Sequence, residues 1–88
     1  MYSKTVCITN SEGLHARPAG IVVKSAKGFS SKINMKKDDV KVNAKSIINV
    51  LSLGANKGSN ILIEAEGEDE KEAVNALAGL IENGFSQV

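Results

Sequence analysis

Asn60-Ile61-Leu62-Ile63-Glu64-Ala65-Glu66-Gly67 alternates along its length, with Ile61, Ile63 and Ala65 on one side and Leu62, Glu64 and Glu66 on the other. A strand of a sheet buried on both faces is apolar throughout, whereas alternation of this kind marks one dry face and one wet face. The other strand candidates repeat the pattern. Residues 2–9 place Tyr2, Val6 and Ile8 opposite Ser3, Thr5, Cys7 and Thr9, with Lys4 as the mismatch. Ile33 and Met35 alternate with Lys32, Asn34 and Lys36; after a turn at Lys37-Asp38-Asp39, Val40 and Val42 alternate with Lys41 and Asn43. This pair predicts a hairpin.

Three helices accompany these strands. Apolar residues recur at Ala19, Val22, Val23 and Ala26, the spacing of one helical face, and Gly28 supplies a stop. Ser46 before Ile47-Ile48-Asn49-Val50-Leu51-Ser52-Leu53 and Gly54 after it bracket a helix of about two turns. The last helix opens at Asp69, with Glu72 at capping-box spacing, turns Ala73, Val74, Leu77, Leu80 and Ile81 inward, and closes at Gly84. The order is βαββαβα, an α+β chain folded as a two-layer, open-faced sandwich. Alternation alone leaves the order of strands in the sheet open.

Composition narrows the functional classes. A chain of 88 residues makes one domain, residues 1–88, that buries about 60 to 65% of its unfolded surface. A net charge of +1 gives no general attraction to nucleic acid or to an anionic membrane surface, and Tyr2, Phe29 and Phe85 are too few aromatics for a base-stacking platform. No apolar run spans a bilayer, and no secretory pattern opens the chain, so a cytoplasmic protein without membrane insertion is expected. Cys7 has no partner for a disulfide and is expected as a small buried or half-buried strand residue. One His and one Cys cannot assemble a zinc site, and neither metal nor cofactor is expected.

The chemistry concentrates at Gly13-Leu14-His15-Ala16-Arg17-Pro18-Ala19-Gly20, where a turn runs into a helix around the one histidine. With His15 as N-cap, Pro18 in the first turn deletes only an amide that has no helical partner. The amides of Ala16 and Arg17 remain free to bind an anion, and the helix dipole favours negative charge there. Arg17 adds a guanidinium, whose fork fits phosphate oxygens. An imidazole nitrogen can attack phosphorus in its unprotonated form, which histidine offers near neutral pH. A lone histidine before a helix is commonly a plain surface or capping residue; the agreement of Gly13, Arg17 and Pro18 favours a phosphoryl site.

Gly-Leu-His-Ala-Arg-Pro-Ala at 13–19 resembles the active-site signature of the HPr family of histidine-containing phosphocarriers in the phosphoenolpyruvate:sugar phosphotransferase system. A second segment, Lys45-Ser46-Ile47-Ile48-Asn49-Val50-Leu51-Ser52-Leu53-Gly54, resembles the regulatory serine segment of HPr from low-GC Gram-positive bacteria. The resemblance implies a four-stranded antiparallel sheet of order 1-4-2-3 covered by three helices. It also implies that His15 is phosphorylated at Nδ1 by phospho-Enzyme I and passes the group to IIA domains of sugar permeases, with Arg17 interacting with the phosphate. Such a protein is a carrier without turnover of its own and is expected as a monomer. Glu12 and Gly20 differ from the family's usual small polar residue and threonine at those positions.

Ser46 reads from pattern alone as an ordinary N-cap. The resemblance implies that it is also the target of an HPr kinase/phosphorylase and that its phosphate favours association with catabolite control protein, in carbon catabolite repression. The helix it starts has too many apolar residues for one buried face: Val50 and Leu53 suit the core, which leaves Ile47, Ile48 and Leu51 as an outward patch. With Gly20 and Gly54, these are the candidate partner-binding positions. The competing reading is a purely regulatory HPr-like protein acting through Ser46; paralogues of that kind lack the active-site histidine, which is present here. A free-standing enzyme is disfavoured by the lack of a second catalytic base or a nucleotide loop, and a plain interaction module leaves the His-Arg-Pro cluster unexplained.

Overall fold

The alternating segments become one antiparallel sheet in the computed structural model, which describes residues 1–85. The elements are β1 (Tyr2–Cys7), α1 (Ala16–Ala26), β2 (Lys32–Lys37), β3 (Val40–Asn43), α2 (Ile47–Ser52), β4 (Asn60–Glu66) and α3 (Glu70–Glu82). The strand order is β1-β4-β2-β3. Register explains why the apolar positions coincide: Val6 faces Ile61, Ile63 faces Met35, and Met35 faces Val42 across successive strands. Ile33, Met35, Ile61 and Ile63 are fully buried beneath Val22, Val74, Leu77 and Ile81 of the helices. The opposite face of the sheet is the wet one, as the alternation of β4 requires.

Lys4 lies in the row of Ile63 and Met35 on the covered side, yet is exposed. It sits on an edge strand, where a long charged side chain reaches water and discourages pairing with another sheet.

Several local expectations need correction. Cys7 is exposed, not buried, because it shares the open face with Ser3 and Thr5. The hairpin turn is Asp38-Asp39 alone, since Lys37 pairs with Val40; Asp38 takes φ +55°, and Val40 at the tip is 51% exposed. Gly28 is not left-handed: α1 ends on Lys27 in helical geometry, and the Gly28 amide donates to Ser25 O at 3.0 Å. At the flanks of the α3 stripe the small Ala78 is fully covered, whereas Leu80 is only half-buried, against a surface groove with Ile21 and Phe29.

The capping box predicted for α3 does not form. Asp69 makes no side-chain cap; its carboxylate accepts the amides of Ser30 and Ser31, both at 2.9 Å, and the hydroxyl of buried Ser31. The Ser31 hydroxyl, then the Ser30 amide, hold the Asp69 carboxyl down at about 2. The residue that reaches back is Glu70, whose carboxylate accepts the Gly67 amide at 3.1 Å, and this amide lowers its pKa.

Candidate phosphoryl-transfer site

The histidine is held in place by the turn before it. Gly13 N donates to Asn10 O at 3.2 Å, and Asn10 Nδ2 donates to Gly13 O at 2.9 Å, which closes residues 10–13. Gly13 has φ +67°, and a Cβ there would stand 2.5 Å from Ala55 O and 2.8 Å from Asn56 Cα. Only glycine fits both the conformation and the close approach. Leu14 N then donates to Ala55 O at 3.0 Å while its side chain is buried. The backbone is therefore pinned on one side of His15 by Leu14 and on the other by the start of α1.

His15 itself is exposed and extended, φ −86° and ψ −167°, at the N-cap of α1, and its side chain makes no capping hydrogen bond. The first helical bond runs from Ala19 N to His15 O at 2.9 Å. The amides of Ala16 and Arg17 lie ahead of that ladder, and Pro18, buried at the third helical position, has none to offer. No acidic residue occupies the first turn of α1. The arrangement presents an unconstrained ring beside free donors and the positive end of a helix dipole, which suits a phosphoryl group on the ring.

Arg17 is exposed, and its Nη2 lies 3.7 Å from Glu12 Oε1, with side-chain exposures of 64% and 55%. A long pair in water is weak, so the guanidinium can leave it for a stronger anion.

Ser46 is the N-cap of α2 and half-buried; its Oγ accepts Asn49 N at 3.4 Å and Asn49 Nδ2 at 3.1 Å. Asn49 Oδ1 accepts Asn43 N at 3.3 Å, and Lys45 Nζ donates to Phe29 O at 2.7 Å, so strand, cap and the loop after α1 are tied together. Val50 and Leu53 point into the core, while Ile47, Ile48 and Leu51 are 39%, 75% and 40% exposed, as the helical spacing predicts. Gly54 has φ +60° and follows the C-cap Leu53. Gly20 is half-exposed, and a Cβ on it would meet nothing within 4 Å. Helices α1 and α2 pack against each other, and the loop after α2 supports Gly13 and Leu14, so the histidine turn and the apolar patch are joined through Ala55.

The turn at Asn10 to Gly13 is legible in the sequence and forms as expected, while the bond of the Asn10 side chain that closes it, and the supports from Ala55 and Asn49, are not read from it. The role of Ala55 depends on a contact across the fold and leaves no trace in composition. The surface groove lined by Ile21, Lys24, Ser25, Gly28, Phe29 and Leu80 does not include His15.

Comparison with known proteins accounts for this arrangement. Residues 2–83 match the family model described as "PTS HPr component phosphorylation site". Phosphocarrier protein HPr of Treponema pallidum is 42% identical over 87 residues, covering 99% of each chain. HPr-like protein Crh of Halalkalibacterium halodurans is 46% identical over 93% of this chain and 98% of its own. A crystal structure of HPr from Thermoanaerobacter tengcongensis, 49% identical, superposes with a TM-score of 0.95 over 100% of this chain and 99% of that one. The antiparallel sheet of order 1-4-2-3 under three helices, the histidine signature and these relatives agree: the chain belongs to the HPr family, the phosphocarriers of the phosphotransferase system.

Proposed function

We propose that His15 is the phosphoryl-carrying residue, loaded by phospho-Enzyme I and unloaded onto IIA domains of sugar permeases. The observation that carries this reading is an exposed, uncapped imidazole at the first turn of α1, beside the free amides of Ala16 and Arg17. In each transfer a phosphorus–nitrogen bond on the donor histidine breaks as one forms on the acceptor ring, so the chain needs to hold the phosphoryl group without activating water. Arg17 pairs with the phosphate oxygens, and the helix dipole disperses their charge. An exposed ring lets a protein donor and then a protein acceptor approach the phosphorus directly.

Ile47, Ile48 and Leu51, with Gly20 and Gly54 at open surface positions, form the docking surface for both partners. Ser46 is the regulatory site, modified by an HPr kinase/phosphorylase and recognised in that state by catabolite control protein. A phosphate at Ser46 is compatible with the helix it begins and adds about two negative charges beside the patch. The whole chain, 1–88, acts as one cytoplasmic domain without cofactor. It works as a monomer; dimeric Crh structures define self-association as the competing arrangement. Among the described residues no helix is long and apolar enough to cross a membrane.

The relative named Crh motivates a second reading, a purely regulatory protein acting through Ser46. The presence of His15 in its full setting favours the carrier. Incubation with phosphoenolpyruvate and Enzyme I separates them: an acid-labile phosphoryl label on the wild type that is lost in His15→Ala supports the carrier, and a wild type that takes no label, or a label that survives in His15→Ala, refutes it.

A further inference from the structure

Glu12 and Arg17 flank His15 in sequence, one three positions before it and the other two after it, and their side chains meet at 3.7 Å. Glu12 is the one described acidic residue paired with that guanidinium. The pair has a consequence for the loaded carrier. A phosphoryl group on His15 brings about two negative charges to the turn that carries Glu12. It also competes for the guanidinium, with better geometry than a single long contact to one carboxylate oxygen. Loading thus removes the counter-ion of Glu12 and brings a like charge to its turn.

We propose that Glu12 is an electrostatic positioning residue: it occupies Arg17 while the carrier is empty and, once Arg17 has turned to the phosphate, repels the phosphoryl group and makes the loaded carrier a better donor. The inference rests on His15 as the carrier residue and adds to it a setting of the transfer potential. A neutral side chain at position 12 leaves the loaded form more stable relative to the empty one. The effect is Coulombic between exposed groups, so salt screens it.

The test is an equilibrium. With catalytic Enzyme I, phosphoenolpyruvate and the full-length chain reach balance with pyruvate and phosphorylated chain. The enol oxygen–phosphorus bond breaks, a ring nitrogen–phosphorus bond forms, and the proton lost from the ring matches the one the enolate takes up. Enzyme I enters and leaves unchanged, so altered docking cannot move the equilibrium constant. Titrating the pyruvate to phosphoenolpyruvate ratio and reading the phosphorylated fraction by phosphorus NMR gives that constant for the wild type and Glu12→Gln. The expected result is a constant about two- to five-fold larger for Glu12→Gln at low ionic strength, with the difference disappearing near 1 M salt. A constant that is unchanged, smaller, or shifted equally at all salt concentrations overturns the role of Glu12 and leaves His15 as the carrier. A wild type that accepts no phosphoryl group overturns both.

Discussion

Gly13 and Gly54 both take positive φ, and they separate two reasons for a glycine. At Gly54 a Cβ meets nothing within 4 Å, so Gly54→Ala costs only the left-handed conformation, about 1 kcal/mol. At Gly13 the same conformation is joined by the close approach to Ala55 O, so the backbone must move. Gly13→Ala is expected to cost about 2–4 kcal/mol in urea unfolding and to slow loading of His15, because the displaced turn is the one that presents it. Equal costs at the two glycines would contradict this account. His15, Arg17 and Pro18 were legible in the sequence because covalent neighbours on a helix start have fixed relations. The pairing of Glu12 with Arg17 and the support from Ala55 depend on side-chain direction and on distant chain, which spacing does not encode.

Among the elements, the period of two in β4 and the stripe of α1 were legible because each element has one face in a single core. The cap of α3 was not. Asp69 stands where an N-cap belongs, but the free amides of Ser30 and Ser31, brought close by the fold, outcompete the helix for its carboxylate. This choice has a pH signature. The Asp69 carboxyl is lowered from 3.8 to about 2 in the folded chain, so its ionised form favours folding above pH 4, and that contribution is lost as pH falls from about 4 toward 2. Glu70, also lowered, acts in the same direction. Unfolding followed by circular dichroism from pH 7 to pH 2 is expected to show Asp69→Asn less stable at neutral pH and less sensitive to acid than the wild type. Parallel pH profiles would show that the Ser30–Ser31 contacts do not govern this transition.

At the scale of the molecule, alternation predicted a sheet with one wet face, and that is what forms, but alternation is blind to which strands meet. The order β1-β4-β2-β3 places the last strand between the first two, a long-range pairing that the family resemblance supplied and local pattern could not. The surplus of apolar residues in α2 was legible by counting: Val50 and Leu53 satisfy the core, so Ile47, Ile48 and Leu51 must face outward. This surface and the histidine turn are built on one packed pair of helices, which lets one partner touch both. Ile48→Ala is therefore expected to change stability by less than about 0.5 kcal/mol while weakening Enzyme I binding about five-fold or more in titration calorimetry. Ser46→Asp, which keeps a cap but adds charge, is expected to weaken the same binding, and more so at low salt. Unchanged affinity in both variants would move the docking surface elsewhere.

The central claim is that one ring, held at the start of α1, carries the phosphoryl group against the amides of Ala16 and Arg17. Nitrogen-15 and phosphorus NMR of the chain phosphorylated with phosphoenolpyruvate and Enzyme I tests it most directly. The account predicts phosphorus bonded to Nδ1 of His15, with the largest backbone amide shifts at Ala16 and Arg17. Phosphorus on any other residue, or on His15 with those two amides unmoved, would contradict it.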